Sequence, residues 1–171
     1  MVKSNVILIG MAGAGKSTTG VVVAKMMQKD FIDGDLIIQR QTGKGLQEII
    51  DEVGNEGFRK IEEEVLETIQ TENTVIAPGG SAIYYPALIE KMKENGIVVY
   101  LHVPLEEIQE RLNNLETRGV TLEEGQTVAD LYYEREHLYE EHADITIYTS
   151  GKSLEEAARE IADAVKAYCL K

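Results

Sequence analysis

Cys169 is the only cysteine in the chain. An intramolecular disulfide is therefore excluded, and so is a cysteine-rich metal site. A lone thiol fits a reducing compartment. Positive charge is scarce too: 17 Lys and Arg stand against 30 Asp and Glu, a formal net charge of −13. Sequence-independent binding to DNA, RNA or anionic membrane needs the opposite balance and is not expected. No apolar run approaches the roughly 20 residues of a membrane span. Residues 1–5 lead straight into a short apolar run with no signal-peptide pattern. His102, His137 and His142 have no metal-ligand spacing. There is no internal repeat and no low-complexity segment. A cytoplasmic protein with neither nucleic-acid nor membrane partners is expected. Aspartate is the rarer carboxylate, with 7 Asp against 23 Glu. Glu suits exposed helix faces, whereas Asp favours caps, turns and special sites. Asp33 and Asp35, two positions apart, are therefore candidates for a specific role.

The chain has 171 residues and is 43% apolar, enough for a core and for a single domain over 1–171. Val6-Ile7-Leu8-Ile9 is a continuous apolar run, as in a parallel strand buried on both faces. Further strands are expected at 31–32, 74–77, 97–101 and 145–148. Helical patterns cover 16–28, 46–70 with a break near Gly54-Asn55, 86–94, 105–112, 127–141 and 153–168. Ser153 and Glu156 form a capping box for the last helix. The Glu62-Glu63-Glu64 run reads as a solvated helix face. Strands alternating with helices predict an α/β fold with a five-stranded parallel sheet. The polar stretch 113–126 is long for a connection, and such loops often serve as lids.

Gly10-Met11-Ala12-Gly13-Ala14-Gly15-Lys16-Ser17 matches G-x-x-x-x-G-K-[ST] in full and stands between a buried strand and a helix. Glycines let the backbone curl so that N–H groups, from Gly13 through Ala14 and Gly15 to Thr18, face phosphate oxygens. Lys16 would reach the β- and γ-phosphates, and the Ser17 hydroxyl would ligate Mg²⁺. The helix N-terminus adds partial positive charge. A nucleoside triphosphate, ATP, is the expected ligand, with the acceptor left open. Asp33-Gly34-Asp35 follows the second strand, where α/β sheets bind ligands. On an extended segment two such carboxylates face the same way. One can hold Mg²⁺ through water, and the other can orient an attacking hydroxyl. The alternative is a turn with a helix cap. Arg59 reads as an ion-pair partner of nearby glutamates at i, i+3 or i, i+4, or as a ligand contact. Pro78-Gly79-Gly80-Ser81 ends the third strand and permits close approach of a ligand.

These residues, with Phe31-Ile32-Asp33-Gly34-Asp35, Gly57-Phe58-Arg59-Lys60-Ile61-Glu62 and Arg135-Glu136-His137-Leu138-Tyr139, resemble the shikimate kinase family of phosphate-loop kinases over nearly the whole chain. The resemblance implies a three-layer α/β/α fold with strand order 2-3-1-4-5. It also implies a substrate-binding helical segment near 34–62 and a lid near 113–126. The implied reaction is transfer of the ATP γ-phosphate to shikimate in aromatic amino acid biosynthesis, and a monomer is expected. Asp35 matches the residue that binds a substrate hydroxyl and acts as base, and Asp33 the one near Mg²⁺. Arg59 and Arg135 match the clamp on the substrate carboxylate. Gly79 and Gly80 match the substrate-contacting glycines. Arg118 matches the lid arginine over the phosphates, and Lys16, Asp35 and Arg118 form the implied catalytic set. Arg111 and Lys152 match positions at the adenine. Three positions depart from the family pattern: Ser81 replaces a Gly, the lid reads Thr117-Arg118-Gly119-Val120, and no Pro precedes Leu138-Tyr139. A related kinase for gluconate or a sugar, or a nucleotide-binding module without transfer, are the other readings.

Overall fold

The computed structural model describes residues 3–114 and 119–170. Thr117 and Arg118, in the middle of the expected lid, lie outside the described residues. Five strands form one sheet: β1 (Asn5–Ile9), β2 (Asp30–Asp33), β3 (Thr74–Ala77), β4 (Gly96–His102) and β5 (Ile145–Tyr148). Every pairing is parallel and the order is β2-β3-β1-β4-β5, as the resemblance implied. β1 and β3 are buried at every position, which explains the apolar runs Val6-Ile7-Leu8-Ile9 and Val75-Ile76-Ala77. Helices α1 (Lys16–Met27) and α7 (Leu154–Cys169) pack together on one face. On the other lie α3 (Leu46–Glu67), α4 (Pro86–Glu94) and α6 (Val128–His142). The remaining helices are α2 (Gly34–Thr42) and α5 (Leu105–Asn114). The capping boxes at Ser153 and Thr127 start α7 and α6 where the sequence pattern placed them. No helix among the described residues is long and apolar enough to cross a membrane.

Two features of the fold set the site. The first is α2, which begins directly at the end of β2. Asp33 is its N-cap, and its carboxylate accepts from the N–H groups of Asp35 (2.9 Å) and Leu36 (3.3 Å). The segment 33–35 is thus not extended, contrary to the sequence expectation: capping turns the chain at Asp33. Gly34 permits the turn. A Cβ there would lie 2.8 Å from the Pro78 carbonyl oxygen and 2.9 Å from Leu66 Cδ2. Gly34→Ala is therefore expected to push α2 off the end of β3, at a cost of about 1–3 kcal/mol. Urea unfolding of the variant checks this, and an unchanged midpoint would show the contact to be soft. The second feature is the break in α3. Gly54 has φ 75° and ψ 173°, so two helical limbs meet there, where the sequence pattern was interrupted. α2 and α3 share their own apolar cluster of Ile38, Ile49, Ile50, Phe58 and Val65. Between Ser81 and α4 the chain adds a 3₁₀ turn, Ala82–Tyr84, which the sequence reading did not foresee.

Candidate active site

Parallel strands bring the ends of β1, β2 and β3 to one edge. Asp33 pairs in register with Ala77, the residue before Pro78-Gly79-Gly80. A cavity of about 370 Å³ opens there, lined by the phosphate loop, Asp35, Glu62, the Gly79-Gly80-Ser81 wall, Thr121 and Arg135. Gly13 and Gly15 have φ of 82° and 85°, a left-handed conformation that favours glycine. The buried Ala14 donates its N–H to the Met11 carbonyl at 3.0 Å, tightening the curl. Lys16 Nζ donates to the Gly10 and Met11 carbonyls at 2.8 and 2.9 Å. Burial lowers its pKa to about 8, against the opposing pull of Asp35. Ser17 Oγ donates to Asp33 Oδ2 at 2.6 Å, and Thr18 Oγ1 to the Gly15 carbonyl at 3.2 Å. Asp33 therefore both caps a helix and faces Ser17.

Asp35 is raised to about 6, first by burial and then by Asp33, with Lys16 pulling it down. Gly79 has φ 112°, and a Cβ on it would lie 3.0 Å from Glu62 Oε2 and 3.1 Å from Asp35 Oδ1. Both carboxylates thus face the gap left by its bare Cα. A Cβ on Gly80 would lie 3.1 Å from Arg135 Nη1 and 3.4 Å from the Ala12 nitrogen. Gly80 thus stands between the Arg135 guanidinium and the phosphate loop.

Arg135 is buried, 2% exposed. Its Nη2 donates to Thr121 Oγ1 at 3.0 Å and its Nε to Tyr84 OH at 3.3 Å. Tyr139, on the same helix, stacks on Tyr100 with ring centroids 5.1 Å apart and donates to the Gly80 carbonyl at 2.7 Å. Arg59 does not pair with Glu62 or Glu63. Its Nη2 lies 3.7 Å from Glu123 Oε1, and its Nε is buried with no hydrogen-bond partner among the described residues. Arg111 donates to the Gly13 carbonyl at 2.8 Å and so lies against the phosphate loop, anchored by Glu107. Lys152 lies in the loop after β5, exposed and paired with Glu160, and does not line the cavity. Arg118 is outside the described residues.

Glu62 corrects the sequence reading. It was expected on a solvated face, yet it is 1% exposed. Its Oε1 accepts from the hydroxyls of Ser81 and, at 3.0 Å, of Tyr85. Burial raises it to about 7, opposed by the Ser81 hydrogen bond and reinforced by Asp35. The sequence did carry a signal. Phe58, Glu62, Val65, Leu66 and Ile69 fall on one helical stripe, so a carboxylate stands in an apolar row. Two of the three departures from the family pattern have structural correlates. The Ser81 hydroxyl serves Glu62 and is not free at the cavity wall. Gly119 has φ 81°, which proline cannot adopt, and its N–H donates to Gln47 Oε1 at 3.3 Å. Residues just beyond it are tied to α3 by Asn55 Nδ2, which donates to the Leu122 carbonyl at 2.8 Å.

No group of three His, Cys, Asp or Glu able to hold a metal occurs among the described residues. Ser17 and Asp33 nonetheless present hard oxygen donors beside the phosphate loop, the donor type that suits Mg²⁺ bound mainly by phosphates and water.

The family model described as shikimate kinase matches residues 12–166. The shikimate kinase of Nitrosomonas europaea is 41% identical over 155 residues, 88% of this chain and 72% of that protein. That of Vibrio parahaemolyticus is 36% identical over 162 residues, 93% of this chain and 94% of its own. Among solved structures, shikimate kinase from Acinetobacter baumannii in complex with shikimate aligns with a TM-score of 0.89 at 35% identity, covering 98% of this chain and 96% of that one. A gluconokinase from Sinorhizobium meliloti, at 19% identity and a TM-score of 0.56, shares the fold alone. A matched model spanning most of the chain and relatives of this identity place it: the chain belongs to the shikimate kinase family.

Proposed function

We propose that the chain transfers the γ-phosphate of ATP to the 3-hydroxyl of shikimate. The observation that carries this reading is Gly80, which stands between the Arg135 guanidinium and the backbone of the phosphate loop. An acid held by Arg135 therefore has its hydroxyls within reach of a phosphate in the loop. Arg59 and Arg135 would clamp the carboxylate, each guanidinium being able to give two parallel hydrogen bonds. Asp35 would align the attacking hydroxyl. As the bond from its oxygen to the γ-phosphorus forms, the bond to the β-phosphate bridge breaks and the proton passes to Asp35. Lys16 would exchange its loop carbonyls for phosphate oxygens, and the polyanion would keep it charged. Ser17 and, through water, Asp33 would hold Mg²⁺, which neutralises charge on the phosphates when bound. Arg111 would flank the adenine, and Arg118 would close over the phosphates by family resemblance. The reading treats the chain as one kinase domain, acting as a monomer in the cytoplasm, with a lid near 113–126 and a substrate segment near 34–62.

A coupled ADP-release assay over shikimate, gluconate and simple sugars tests the assignment. Shikimate alone is expected to support turnover. Faster release with gluconate or a sugar would replace it with the related-kinase reading. ATP binding with no turnover on any acceptor would leave a nucleotide-binding module.

A further inference from the structure

Tyr84 sits on the 3₁₀ turn and touches both arginines that the proposed function assigns to the acceptor carboxylate. Its ring centroid is 4.9 Å from Arg59 Cζ and 5.1 Å from Arg135 Cζ. The two guanidiniums come from different helices, α3 and α6, and each packs against the same aromatic ring. The Tyr84 hydroxyl accepts from Arg135 Nε at 3.3 Å and donates to Glu134 Oε1 at 2.5 Å. The turn itself is held in place. Tyr84 N–H donates to the Ser81 carbonyl at 3.0 Å, and Tyr85 OH to the Arg59 carbonyl at 2.8 Å. The turn that carries the ring is therefore tied to the glycine wall on one side and to the backbone of Arg59 on the other.

Two cations brought together repel each other and need a counter-charge. The negative face of an aromatic ring attracts both without using their hydrogen-bond donors. Arg59 Nε is buried with no partner among the described residues, and so keeps a donor in reserve. Arg135 spends Nη2 on Thr121 and Nε on Tyr84, and its Nη1 faces Gly80. We infer that Tyr84 is a positioning residue for the acceptor site: its ring holds Arg59 and Arg135 together as a preformed fork for one carboxylate. This inference rests on the proposed carboxylate clamp and adds a residue to it. Preformation matters because each ordered long side chain otherwise costs binding free energy when the acceptor arrives.

The test compares Tyr84→Leu, which removes the ring face, with Tyr84→Phe, which keeps it and removes the hydroxyl. Each contact of this kind contributes modestly, and two lost together are expected to raise the KM for shikimate by about tenfold. Turnover number and the KM for ATP should change by less than about threefold, and Tyr84→Phe should stay within about threefold of wild type throughout. A second readout is discrimination between shikimate and its neutral carboxamide, which should shrink in Tyr84→Leu by the same factor as the KM rises. A merely structural role would weaken acid and amide alike. Tyr84 is only partly buried, so Tyr84→Met serves if the leucine variant folds poorly, with the KM for ATP as the folding control. Normal wild-type turnover of shikimate with an unmoved acceptor KM in the leucine or methionine variant overturns the role of Tyr84 alone. No shikimate turnover in the wild type overturns the carboxylate clamp together with it.

Discussion

Asp35→Asn is expected to lower turnover by on the order of 10²- to 10⁴-fold while ATP still binds. The substitution keeps the shape of the side chain but replaces one acceptor oxygen with an NH2 donor and removes the negative charge that accepts the hydroxyl proton. It leaves the phosphate loop intact, because Lys16 donates its present hydrogen bonds to the Gly10 and Met11 carbonyls and not to Asp35. The pH dependence separates proton acceptance from simple orientation. Asp35 titrates at about 6, raised by burial and by Asp33. Only its ionised form can take a proton, so kcat/KM for the acceptor should fall as pH drops below about 6, by close to tenfold per pH unit at the steepest. That limb should vanish in Asp35→Asn. Isothermal titration with ATP and rate profiles from pH 5 to 9 provide both readouts. Near-normal turnover of the variant would mean that Asp35 neither aligns nor deprotonates the acceptor.

What the sequence disclosed of this site follows a physical line. Residues whose role depends on local backbone were legible. The phosphate loop needs glycines at fixed offsets beside a lysine, and Gly13 and Gly15 take the left-handed conformation that this requires. β1 was legible because burial on both faces demands an unbroken apolar run. The start of α7 was legible because a capping box is a four-residue event. Residues whose role depends on packing between distant segments were not. Glu62 looks like the first of three similar glutamates; its place in the apolar stripe hints at burial, but only the packing of α3 against the glycine wall shows what it faces. Tyr84 gives no local sign that arginines from α3 and α6 will both pack against its ring. Asp33 lay in between. The sequence offered either a helix cap or a Mg²⁺ contact through water, and a single carboxylate does the first with Oδ1 and faces the Ser17 hydroxyl with Oδ2. The strand order came from family resemblance, since parallel crossovers leave no pattern in a single chain.

Glu62→Gln is expected to make the protein more stable at pH 8 and no more stable at pH 5. Burial raises the Glu62 pKa from 4.5 to about 7 even with hydrogen bonds from Ser81 and Tyr85 and the charge of Arg135 opposing the rise. Asp35 faces it from α2, Ser81 and Tyr85 from the segment after β3, and Arg135 from α6. The folded chain therefore keeps a proton that the unfolded chain gives up between about pH 4.5 and 7. Across that window the unfolded state binds fewer protons, so stability falls as pH rises. The loss at pH 8 is on the order of 3 kcal/mol, at about 1.4 kcal/mol per pKa unit. Glutamine retains a carbonyl oxygen for the two hydroxyl donors but does not ionise. Its melting temperature should exceed that of the wild type at pH 8 by roughly 6–12 °C, using about 2–4 °C per kcal/mol for a chain of this size. Asp35 contributes a fall of the same sign between about pH 4 and 6 in both proteins, so it cancels from the comparison. A lower melting temperature for the variant at pH 8 would show that Glu62 is held ionised at a net gain. A buried carboxylate retained against such a cost points to use in the acceptor site, beside Asp35 across Gly79. The stabilised variant should accordingly show a raised KM for the acceptor at pH 8, with the KM for ATP unchanged.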